Sequence, residues 1–266
     1  MKKSLQFFTL MSFLIALPQG LFAAAGNVLS AEEKARFSEN MLLPNPSEIF
    51  VALNKIGKTD WTNAASYSKK YDYKGNYLRA LNLGVRAADG FLAIQARDKS
   101  RLGEMIVVII TLAEELMVEK TILDKSKKFE ELSKRDQWDA LHKELDILRE
   151  DVVREINRLG DQDVALMVCA GGWLEGLRAA TKVLNGQYEP VASSVLYQPK
   201  LCDYFSDRLK AIGPEAQKTP AVQKLMARLP EIKALVDVGY QQPISKENIA
   251  KLYTISTELI QLIERG

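Results

Sequence analysis

Residues 164–186 read VALMVCAGGWLEGLRAATKVLNG. Taken in steps of four and three, Ala165, Cys169, Gly172, Gly176 and Ala179 fall on one side of a helix, leaving a stripe with almost no side chain. A glycine in a helix interior costs roughly 1 kcal/mol relative to alanine. Gly171, Gly172 and Gly176 together therefore describe a helix that propensity alone would not select. The expected compensation is another backbone packed closely against the stripe.

Working outward, the same period recurs. Tyr77, Leu81, Gly84, Ala88, Phe91 and Ile94 mark a long helix over residues 71–97. A second is expected over 99–119, where residues 105–112 are apolar nearly all round and predict the centre of the core. Residues 124–136 read as a polar connection. The narrow stripe of Leu141, Leu145, Leu148, Val152 and Ile156 predicts a surface helix, ended by Gly160, with Asp161 placed to cap the glycine-bearing helix. Pro199 should kink or divide the helix over 191–212, and Pro230 should interrupt the one over 220–238. A last helix over 245–263 opens on Ser245 and carries Ile249, Leu252, Ile255, Leu259 and Ile263. Upstream, Ser30 with Glu33 resembles a capping box, residues 41–47 are extended by prolines, and Ser47 opens a helix stopping at Gly57. No segment alternates with period two. The expected fold is all-α, one multi-helix domain of about eight to nine helices in a bundle or hairpin array, with no sheet.

The first residues are read apart from the fold. Lys2 and Lys3, an apolar run over 5–17, and Ala23, Ala24 and Ala25 form the pattern of a signal peptide over 1–25, leaving a helical domain over 26–266. The apolar run is shorter than the ~20 residues that cross a bilayer, so cleavage rather than a transmembrane anchor is expected, with a periplasmic or extracellular destination. The chain has 36 basic and 34 acidic residues, and without Lys2 and Lys3 it has 34 of each. That balance lacks the cationic footprint of a nucleic-acid binder. Cys169 and Cys202 either pair in an oxidising compartment or act as two buried thiols.

Few residues suggest chemistry. His142, the single histidine, stands among charges and reads as solvated. No cofactor or metal set is indicated, and neither a nucleophile elbow nor a phosphate loop occurs. Two charged pairs lie inside otherwise small or apolar helices, Arg86 with Asp89 and Glu175 with Arg178, each three residues apart and able to meet along a helix. Residues 84–88 and 176–180 share Gly-apolar-Arg-Ala-Ala. If those two helices pack together, the four charges form one network that either fixes helix register or, with Asn82 and Trp173, recognises a small ligand. Tyr67, Tyr71, Tyr73 and Tyr77 could line a groove or pack across a helix entry.

Residues 170–177, AGGWLEGL, with 81–85, LNLGV, upstream, resemble a group of uncharacterised secreted all-helical bacterial proteins with an AGGW-x-EGL segment. The resemblance implies a secreted helical fold and no catalytic residue. The sequence thus points to an exported non-catalytic helical protein of the cell envelope that binds a protein partner or supports an assembly. A small-ligand binder using Asn82, Arg86, Asp89, Trp173, Glu175 and Arg178 is the alternative.

Overall fold

A computed structural model describes residues 49–50, 53–54 and 59–266. The signal-peptide reading, the Ser30–Glu33 capping box and the extended 41–47 segment fall outside these residues. The described chain is built from helices α1 (Asn76–Gln95), α2 (Lys99–Glu114), α3 (Glu119–Lys134), α4 (Trp138–Arg158) and α5 (Gln162–Gly186). These are followed by a short α6 (Pro190–Ser193) with one 3-10 turn (Ser194–Leu196), then α7 (Pro199–Ala211), α8 (Pro214–Gln217), α9 (Pro220–Val236) and α10 (Lys246–Arg265). Among the described residues there is no strand, and the fold is all-α.

The centre of the core is the α1–α5 pair. Each has a long stretch buried on nearly every side, Leu78–Ile94 in α1 and Val164–Thr181 in α5. Two helices can be that enclosed only if their axes come close, and the glycines allow it. A methyl group placed on Gly171 would sit 2.0 Å from the Leu81 carbonyl oxygen, and one on Gly84 would sit 2.0 Å from the Val168 carbonyl oxygen and 2.7 Å from the Gly172 nitrogen. Backbone therefore meets backbone at Leu81, Gly84, Val168, Gly171 and Gly172. The expected close approach is present, and its tightest points include Gly171 and Gly84 as well as the stripe residue Gly172.

Around this pair α10 lies across both central helices, α2 packs on α1, α4 contacts both central helices, and α3 packs against α2 and α4. Ser245 caps α10 by accepting from the Asn248 amide at 3.1 Å. The apolar face expected for α10 is buried throughout, as is the Leu141, Leu145, Leu148, Val152 and Ile156 stripe of α4. Asp161 makes no side-chain cap to α5; Asp163 instead accepts from the Gly213 amide at 2.9 Å, tying the start of α5 to the turn after α7.

Three further expectations are corrected. The apolar run of α2 is not the middle of the core, because Val107 is 64% exposed and Ile106 and Ile110 are only partly buried. Residues 124–136 are not a connection but most of α3. Its Lys and Glu residues are good helix formers, and the few apolar side chains it needs, Ile122 and Phe129, are buried. Lys125 and Lys128 pair with Asp151 and Glu144 of α4 at 2.7 and 2.5 Å. Pro230 does not interrupt α9, which runs through it; the proline is exposed, so a carbonyl it leaves without an amide donor can turn to water. Pro199, by contrast, divides its segment and becomes the first residue of α7, where its missing amide costs nothing.

Candidate functional site

The two repeated Gly-apolar-Arg-Ala-Ala segments place Arg86 and Arg178 in one buried network at the α1–α5 seam. Arg86 and Asp89 are one turn apart on α1, with Arg86 Nη1 2.9 Å from Asp89 Oδ2 and both side chains fully buried. Glu175 and Arg178 repeat the arrangement on α5. Arg178 Nε donates to Glu175 Oε2 at 2.7 Å, and its Nη2 donates to Glu175 Oε1 and to the Ala64 carbonyl, the latter at 2.8 Å. The network also has a member that sequence spacing does not suggest. Arg86 Nη2 donates to Glu264 near the end of α10, while Arg86 also donates to the Ser68 carbonyl at 2.9 Å and to Ser66 Oγ at 3.3 Å.

The other two candidate residues lie around this centre. Asn82 is fully buried and donates to the carbonyls of Leu78 and Ile263, both at 2.9 Å, so it bridges α1 and α10. Trp173 points elsewhere, donating to Gln198 at 3.2 Å and stacking on Phe205 with ring centroids 5.0 Å apart. Four of the six residues thus form two buried ion pairs, Arg86 with Asp89 on α1 and Glu175 with Arg178 on α5. Burial alone lowers the pKa of both arginines, but their carboxylate neighbours outweigh it and the net direction is up: Asp89 and Glu264 act on Arg86, Glu175 on Arg178. Burial raises the Asp89 carboxyl, Arg86 opposes that, and the adjoining Glu175 adds to it, leaving Asp89 well above the usual carboxylate range.

No protein-family model, curated protein or solved structure matches the chain. The residues themselves therefore carry the functional argument. Two guanidiniums opposed to buried carboxylates, each guanidinium also held by a backbone carbonyl from the segment before α1, make a rigid joint. Nothing in that joint presents a nucleophile, and burial pushes the Cys169 and Cys202 thiols up to about 11 and about 12, far from thiolate at neutral pH. Both cysteines are free.

Two further groups sit differently from their sequence readings. His142 is not solvated. Its side chain is only 16% exposed and its ring meets Phe91 edge-on at 5.4 Å between centroids. Its charged neighbours hide that it sits one residue after Leu141 on the inward edge of α4. Of the four clustered tyrosines, Tyr67 and Tyr73 are buried and Tyr71 is 53% exposed, so they form no continuous row. A crevice does exist between α1, α4 and α5, lined by Phe91, Arg149, Val153, Cys169 and Trp173 among others. At about 20 Å³ it holds about one water molecule.

Burial lowers the His142 pKa, against a smaller opposing pull from Asp146 and Asp139. The unfolded chain then takes up a proton on this ring at higher pH than the folded chain does. Its contribution to stability is fully present above the ordinary value of about 6.5 and is lost as pH falls through the lowered folded value. Acidification from pH 7 to pH 5 should therefore depress the thermal midpoint of the wild type relative to His142→Gln. Parallel midpoints over that interval would exclude the effect.

Proposed function

We propose that this chain is an exported, non-catalytic helical module of the cell envelope that binds a protein partner. The observation that carries the reading is the outer face of α2. Val107 is exposed, Ile106 and Ile110 are half-buried, and Met117 and Leu123 beyond the helix end are 71% and 48% exposed. Gly103, Val107, Ile110, Glu114 and Met117 follow one another at steps of four, three, four and three, the spacing with which one helix seats against another. The interior of α2 is already satisfied by Leu102, Met105, Val108, Ile109 and Leu112, so although Ile106 and Ile110 rest their inner sides on the core, the apolar surface centred on Val107 stays open to solvent. An open apolar edge on a helical surface fits a partner helix better than it fits bulk water. The N-terminal sequence pattern supports export, and mature protein should begin between Ala24 and Gly26.

A photo-crosslinking residue placed at Val107 should trap a discrete adduct in envelope extracts, and one placed at the exposed, charged Glu150 of α4 should not. Ile110→Lys should abolish the adduct, with retention of the fold checked by an unchanged circular dichroism spectrum. Failure to trap any adduct from Val107, or an adduct indifferent to Ile110→Lys, would overturn the reading. The alternative, a small ligand held at the charged seam, is favoured by one observation: Asn82 Oδ1, Arg86 Nε and the hydroxyls of Tyr67 and Tyr73 are buried there without a hydrogen-bond partner.

A further inference from the structure

The geometry points to a second copy of this chain as the partner for the open edge of α2, the two copies packing their α2 helices antiparallel about a two-fold axis at Val107. The proposal rests on the reading of that edge as a protein-docking surface and names its occupant.

The edge runs the length of the helix. Ser100, Gly103, Val107 and Glu114 are exposed, with the half-buried Thr111 between the last two, so they form one line at helical spacing. Its two ends carry opposite charge. Residues 97–101 hold Arg97, Lys99 and Arg101 against Asp98, a net positive charge of two, and residues 114–120 hold Glu114, Glu115 and Glu119 against Lys120, a net negative charge of two. Several of these charges are engaged within the chain: Lys99 with Asp136 at 3.0 Å, Arg101 with Asp98 at 3.4 Å and Glu115 with Arg79 at 3.2 Å. Arg97 and Glu114 are exposed and form no ion pair among the described residues. The apolar middle of the edge is thus bracketed by an unpaired cation and an unpaired anion.

That polarity selects the occupant. A parallel copy sets like ends together, whereas an antiparallel copy lays each basic end on the other's acidic end, twice per dimer, and also opposes the two helix dipoles. With the axis at Val107, Ser100 lies opposite Glu114 and Gly103 opposite Thr111, so small residues flank the central valine pair. Arg97 comes level with the last turn of the other α2, where Glu114 stands. One surface therefore supplies both halves of the contact, as a two-fold interface requires. The 16 residues of α2 rise about 24 Å, and an edge of that length one helix wide covers well under the ~800 Å² per partner of a standard stable interface. The dimer is accordingly reversible and concentration-dependent.

Sedimentation of the purified protein over a concentration series reaching about 1 mM, where weak contacts populate, should show a monomer–dimer equilibrium. Arg97→Glu and Glu114→Arg should each weaken it several-fold, and the two together should restore it. With a short bismaleimide, Ser100→Cys mixed with Glu114→Cys should give a cross-linked dimer and each variant alone should not; the wild type, which keeps Cys169 and Cys202, is the blank. A wild type that sediments as a monomer throughout, or a cross-link from Ser100→Cys alone, would overturn the proposal, and the wild-type series decides even where a variant misfolds. A monomer whose Val107 probe still traps a different protein in envelope extracts removes the second copy and keeps the docking edge. A monomer that traps nothing removes both.

Discussion

Gly171→Ala should destabilise the protein by about 3 kcal/mol or more, although in most helices the same change is a gain. The added methyl would lie 2.0 Å from the Leu81 carbonyl oxygen and 3.1 Å from the Leu81 Cα. No rotamer relieves that collision, because the atoms on both sides are backbone, and α1 and α5 must separate. Overpacking typically costs about 1–3 kcal/mol and occasionally more, and separating this pair loosens the most buried part of the molecule. Gly84→Ala, aimed at the Val168 carbonyl, should behave alike. Gly103 supplies the contrast. It lies on the exposed side of α2 with nothing within 4 Å of an added methyl, so Gly103→Ala should stabilise by roughly 0.5–1 kcal/mol. Denaturant midpoints at unchanged slope read the opposite signs directly. A neutral or stabilising Gly171→Ala would mean that the two backbones do not touch.

That contrast also marks how far the sequence could be read. Small residues at helical spacing in both 80–88 and 165–180 announced a close helix pair, because a stripe of glycine has few other uses in a buried helix. The pairing of Arg86 with Asp89 and of Glu175 with Arg178 was legible for a similar reason: residues one turn apart share a face whatever surrounds them. Glu264 was not legible. It joins Arg86 across 178 positions of chain, and only the docking of α10 brings it there. Position within the fold was equally hidden for α2, since an apolar run specifies what a helix can bury and not how many neighbours it has. Residues 124–136 misled in the opposite direction: a helix gripped by two neighbours needs few apolar side chains, so α3 carries too weak a stripe to stand out from a polar connection.

The charged joint gives the other large expected effect. Arg178→Met preserves length and much of the apolar stem but removes the guanidinium that binds both oxygens of Glu175. Glu175 is fully buried, so water cannot replace what is lost, and the Ala64 carbonyl loses its donor in the same step. Breaking a buried pair from one side typically costs about 3–5 kcal/mol. Arg178→Lys separates charge from geometry. An ammonium retains the charge but not the planar fork that holds Glu175 and Ala64 together, so its loss should fall between wild type and Arg178→Met. Removing both partners, as in Arg178→Met with Glu175→Leu, should recover much of the stability, because the uncompensated charge is gone and an apolar pair fits an apolar seam. Chemical denaturation of the three variants therefore distinguishes a joint that stabilises the fold from one that chiefly fixes helix register. Recovery in the double variant with retained near-ultraviolet circular dichroism assigns the network to stability alone, whereas recovery with loss of that signal assigns it to register.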